Sequence, residues 1–161
     1  MAFACVTPFA AFAAIAAVTL SRRDAVLLAV ALWLANQGVG YGVLHYPWSA
    51  RSAAWGVAIG IAAVAGTIAA HAAFSRLRSF ASPARGLVAF VAAFSIYQLG
   101  LFAAAASVLG GVGTFTPRIV GQVLLVNAVT LVGLYGLDQL LGAVGAIARR
   151  RRETGIPARF A

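Results

Sequence analysis

The chain is short of almost everything that a water-soluble protein keeps on its surface. Its 161 residues include three acids (Asp24, Asp138 and Glu153), no lysine, two histidines and one cysteine. Charged residues make up 9% of the total, against about 25% in soluble domains. So little charge excludes a stable soluble surface and leaves lipid as the natural solvent. The single cysteine, Cys5, excludes an intrachain disulfide and a cysteine-based zinc site. It is expected at the outer edge of the first helix as a small apolar residue. A lipid-anchor cysteine would need a charged start and an apolar run before it, and four residues leave no room.

Three acids at separate depths cannot supply converging acid, base or metal ligands, so catalysis is not expected. No glycine-rich phosphate loop, His-Glu-x-x-His, Ser-His-Asp or Cys-His set is visible at a common depth. His45 and His71 fall about a membrane thickness apart and cannot share a haem or a metal ion. No cofactor can be named from the sequence.

What the chain does have is apolar length. Hydrophobic residues make up 63% of it, and the mean hydropathy is +0.96. Five apolar stretches run over residues 2–20, 25–44, 53–74, 86–109 and 119–148. Each is near or above the ~20 residues that span a bilayer core. The breaks between them are short, which predicts adjacent antiparallel helices. The expected fold is therefore all-α, a polytopic bundle of five transmembrane helices (residues 1–148) followed by a basic tail (149–161).

Twelve arginines supply the positive charge and give a pI near 11.5. Such a pI suggests nucleic acid. These arginines, however, sit in the breaks between apolar runs, where membrane orientation explains them; no nucleic-acid partner is expected. Arg22, Arg23, Arg76, Arg78, Arg85, Arg149, Arg150, Arg151, Arg152 and Arg159 fall on one side, and Arg51 and Arg118 on the other. This asymmetry predicts an outside N-terminus and a cytoplasmic C-terminus. The Arg149–Arg152 run is expected at anionic lipid headgroups. The first stretch has a neutral start and arginines after it, the reverse of a secretory signal, and reads as an uncleaved anchor. The lysine-free, Ala- and Arg-heavy composition points to a GC-rich bacterial genome, and so to the inner membrane of a bacterium.

Tyr41, Tyr46, Trp48 and Trp55 form a plausible interfacial aromatic belt at the outer side. Deeper, Asn36 and Gln37 fall mid-way along the second stretch, and Tyr97 and Gln98 mid-way along the fourth. Asn127 and Thr130 lie at a similar depth in the fifth. Amides at that depth should face protein or water, because unsatisfied polar groups in hydrocarbon cost several kcal/mol. They read equally as a small-molecule site near the midplane and as interhelical glue. Adjacent residues point ~100° apart on a helix, so one of each pair is expected at the centre: Gln37, Gln98 and Asn127. Asp138, a carboxylate in an overlong last stretch, is either a proton or cation relay or an ion-pair partner of Arg76, Arg78 or Arg85.

Gly38-x-x-x-Gly42, Gly56-x-x-x-Gly60 and the Gly66, Ala70 pair have the spacing for close helix contact. Two functions are compatible with all this. One is a small transport or ligand-binding subunit with its site among Asn36, Gln37, Tyr97, Gln98, Asn127 and Asp138. The other is a non-catalytic accessory subunit of a larger inner-membrane complex, respiratory or photosynthetic in type. Both expect a membrane-protein partner or self-association, since no energy-coupling motif is present.

Overall fold

The computed structural model describes residues 7–77 and 82–153, without the side chains of residue 82 and of residues 146–153. Cys5, Arg78, the side chains of Arg149–Arg152 and Glu153, and Arg159 with the end of the tail lie outside the described residues, and so do the expectations attached to them. Among the described residues the chain is all-helical: α1 (Phe9–Thr19), α2 (Arg22–Gly42), α3 (Ala50–Arg76), α4 (Ser82–Ala104) and α5 (Pro117–Glu153). A short π-helical turn, Ala105–Leu109, extends α4, and a single 3-10 turn, Val112–Thr114, precedes α5. Four of the helices are long and apolar enough to cross a membrane.

The exception is α1. It has 11 residues and measures ~16 Å, about half a bilayer core. The apolar stretch reads from Ala2, but Thr7 and Pro8 are not helical. Proline lacks an N–H to donate and disfavours helix at the residue before it, so the helix starts just after it.

α1 is nevertheless the hub. It packs against all four long helices and is buried all round at Phe9, Ala10, Ala11, Ala13, Ala14, Ala16 and Ala17. Alanine makes this possible, since small side chains let several helices approach one axis. On one side Ala10, Ala13, Ala14 and Ala17 meet Ala70 of α3 and Ala89, Phe90 and Ala93 of α4. Toward its start, Phe9 meets Ala62, Ala63 and Tyr97.

The α3–α4 interface is the most extensive, and here the small-residue spacing of Gly66 and Ala70 has its use. A Cβ added at Gly66 would sit 3.0 Å from the Ala93 carbonyl oxygen. Gly56-x-x-x-Gly60 accepts side chains instead, since Trp33 lies across Gly60 and Gln37 across Gly56. Gly38 and Gly42 have open space beside them.

The helix ends are set locally. Ser21 caps α2: its hydroxyl accepts from the Asp24 N–H at 3.2 Å and donates to the Asp24 carboxylate at 2.7 Å. This capping-box pattern places an acid at the positive end of the helix dipole and accounts for one of the three acids. Ser49 caps α3 through the Ser52 N–H. At the other end of α3, the Arg85 guanidinium donates to the Phe74 carbonyl oxygen and lies 3.9 Å from the Phe74 ring centroid. α5 continues without a break for 37 residues, ~55 Å, and packs chiefly against α1.

Candidate functional site

The structure divides the polar residues between two places. Asn36, Tyr97 and Asn127 gather around the start of α1. Asn127 is 2% exposed; its Oδ1 accepts from the backbone N–H groups of Ala10 at 3.1 Å and Ala11 at 3.2 Å. Its Nδ2 donates to the Val123 carbonyl oxygen. The first N–H groups of any helix have no partner within it, and the residue before α1, Pro8, has no side chain able to cap them. A side chain of α5, distant in sequence, does so instead. Asn36 Oδ1 accepts from the Thr7 hydroxyl at 2.6 Å. The Tyr97 ring is buried, 5.7 Å from the Phe9 ring. Along its α2 side, between Phe9 and Ala16, α1 borders a void of about 10 Å³, no more than one water occupies.

Gln37 faces elsewhere. Trp33, Gln37 and Tyr41 are spaced four apart, so they share one face of α2. Opposite them are Ala50, Ala53, Gly56 and Val57 of α3, with Trp48 and Ser49 of the connecting loop above. Together they line an open cleft of about 410 Å³, within the usual range for small-molecule sites. The cleft lies at the end of α2 and α3 that carries few arginines. Trp33 Nε1 donates to the Gly56 carbonyl oxygen at 2.7 Å, and the Tyr41 hydroxyl donates to Ser52 Oγ at 3.1 Å. The Tyr41 and Trp48 rings lie 4.7 Å apart at 36°. Tyr46 packs on Gly40, where a Cβ would lie 2.7 Å from its ring, and the loop turns through His45 at φ 52°.

The remaining residues join neither place. Gln98 is half-buried on α4, and no hydrogen bond joins it to the other polar groups among the described residues. Asp138 is exposed on α5, and no ion pair links it to Arg76 or Arg85 among the described residues. Thr130 is half-buried. The Nε2 atom of His71 is buried without a hydrogen-bond partner among the described residues. No cluster of three or more metal-ligating side chains occurs among the described residues.

Sequence reasoning missed Trp33 and Thr7 and placed Trp48 in a belt rather than beside Gln37. The four-residue spacing of Trp33, Gln37 and Tyr41 was the available signal. No protein-family model, curated protein or solved structure matches the chain. The fold and the cleft therefore define the class by themselves: an all-helical protein with four helices apolar and long enough to cross a membrane, and a lateral cleft between two of them.

Proposed function

We propose that the protein is a small ligand-binding or transport subunit of a bacterial inner membrane, with its site in the α2–α3 cleft. The observation that carries this reading is the division of the polar groups. Asn36 and Asn127 are occupied in holding α1, whereas the Gln37 amide faces a cleft large enough for a small molecule. Trp33, Tyr41 and Trp48 supply flat apolar walls, and Ala53 a shallow floor. A chain this small needs a partner or self-association to drive transport.

The cleft-filling variant Ala53→Phe tests the assignment. Ala53 is exposed in the cleft, so the ring has room and the fold should be kept. Wild-type protein purified in mild detergent is expected to carry a small molecule detectable by mass spectrometry, and Ala53→Phe to lose it at an unchanged melting temperature. Equal retention by both proteins would remove the cleft from consideration.

In this reading the chain crosses the membrane five times with its N-terminus outside. α1 crosses the arginine-rich half of the layer. The support is the positive-inside bias. In a Cys5→Ala background, a cysteine at Ser49 is expected to react with an impermeant thiol reagent in intact cells. One at Ser75, at the opposite end of α3, should react only after the membrane is opened. The reverse pattern would overturn the orientation.

The accessory-subunit reading has one observation in its favour. Polar side chains whose hydrogen bonds join separate elements are what interhelical glue requires, and Asn36 and Asn127 at the start of α1 have that character. Its test is the set of membrane proteins that co-purify with the chain.

A further inference from the structure

We infer that the cleft selects a neutral, flat, ring-bearing amphiphile with one carbonyl or hydroxyl group, bound by the Gln37 amide. This rests on the reading of the cleft as the ligand site and goes on to the chemistry of what fits there. No charged side chain lines the cleft. A ligand charge would thus lose water without gaining a counter-charge, which is costly in a low-dielectric site. Three of the lining residues are aromatic side chains, and rings stack on them at offset or tilted angles. The floor opposite is open at Ala53, whose methyl group gives little relief, so a planar group can lie close to the α3 backbone there; Gly56 is covered by the Gln37 side chain.

The polar atoms narrow the choice further. The Trp33 N–H is held by Gly56 and the Tyr41 O–H by Ser52. Ser49 Oγ accepts from the Ser52 N–H. Trp48, 87% exposed, belongs to the rim. The Tyr41 and Ser49 hydroxyls keep spare sites but are fixed on Ser52, whereas the Gln37 amide makes no hydrogen bond among the described residues and offers both a donor and an acceptor. One amide can orient one carbonyl or one hydroxyl. Its position is set by Gly56, where a Cβ would lie 2.6 Å from Gln37 Oε1. Gly56→Ala would therefore push the amide aside without removing it. The strain is small, because the displaced atom is the end of a flexible side chain.

The test uses the full chain in lipid nanodiscs and equilibrium dialysis against empty nanodiscs. Three probes are compared: 2-naphthol, 2-methylnaphthalene and benzyltrimethylammonium. Saturable 2-naphthol binding is expected, at least tenfold tighter than the other two. Gln37→Leu and Gly56→Ala should both erase that tenfold margin, while Ala53→Phe abolishes binding altogether. If 2-methylnaphthalene binds as tightly, or the ammonium more tightly, and Ala53→Phe still abolishes binding, the cleft is a site but the ligand class is wrong. The class also falls if the margin survives in Gln37→Leu. If no probe binds above empty nanodiscs, both this inference and the cleft assignment fail.

Discussion

Asn127→Leu is expected to lower the melting temperature of the detergent-solubilised protein by about 5 °C. The substitution keeps the branched shape and heavy-atom count of the side chain and deletes the Asn127 acceptor for the Ala10 and Ala11 N–H groups. The Ala11 N–H also donates to the Pro8 carbonyl oxygen at 3.1 Å, but the Ala10 N–H, in the first turn of α1, has no other acceptor among the described residues. One buried donor left unsatisfied costs ~1–3 kcal/mol, so a loss of that order is expected. For a chain of this size each kcal/mol corresponds to ~2–4 °C. The damage should spread to α5, since Asn127 is a buried residue on a helix that packs chiefly against α1. Faster proteolysis of α5 should accompany the lower melting temperature. Unchanged melting would mean that the cap carries no weight in holding α1.

The second large effect is expected at Gly66. The contact there is backbone to backbone: the Ala93 carbonyl oxygen lies 3.0 Å from where a Cβ would sit, too close for a side chain unless the helices shift. A carbonyl within a helix cannot rotate away, so a larger residue must separate α3 from α4 along their main interface. Overpacking costs ~1–3 kcal/mol, occasionally more. Ala89 and Ala93 of α4, both fully buried, would lose their contacts with α1 and α3 as well. Gly66→Leu is expected to cut accumulation of folded protein in the membrane at least fivefold, and Gly66→Ala to lower the melting temperature by a few degrees. Gly133→Leu, on α5 with open space beside it, serves as the control and should change neither. Equal behaviour of Gly66→Leu and Gly133→Leu would show that the α3–α4 approach is looser than the structure has it.

How much of this could be read from the residues differs from element to element. α2 to α5 were legible because each holds around twenty or more apolar residues between breaks, which is a direct count against bilayer thickness. α1 was legible as apolar but not as short. Hydropathy averages over Pro8, whereas helix geometry does not. That α1 is the hub was also out of reach, because an alanine-rich helix has no polar face to reveal which sides are buried.

The polar layer shows a similar split. Helical periodicity separates Asn36 from Gln37 by ~100° without saying which of them turns inward. That depends on where α1 and α3 stand. The expected trio of Gln37, Gln98 and Asn127 does not meet. Asn127 holds α1, Gln37 lines the cleft beside Tyr41, and Gln98 joins neither. Depth along a helix could be counted from sequence, but direction around it needed the neighbours.

Under the proposed function the polar residues divide their labour: Asn127 holds α1 in the fold, and Gln37 binds the ligand. Native mass spectrometry of wild type, Asn127→Leu and Gln37→Leu over a thermal ramp measures both properties on the same samples. The expected result is a bound small molecule on the wild type, loss of that molecule from Gln37→Leu with unchanged unfolding temperature, and early unfolding of Asn127→Leu with the molecule still bound below its transition. A Gln37→Leu protein that keeps the molecule, or that unfolds as early as Asn127→Leu, would contradict the account.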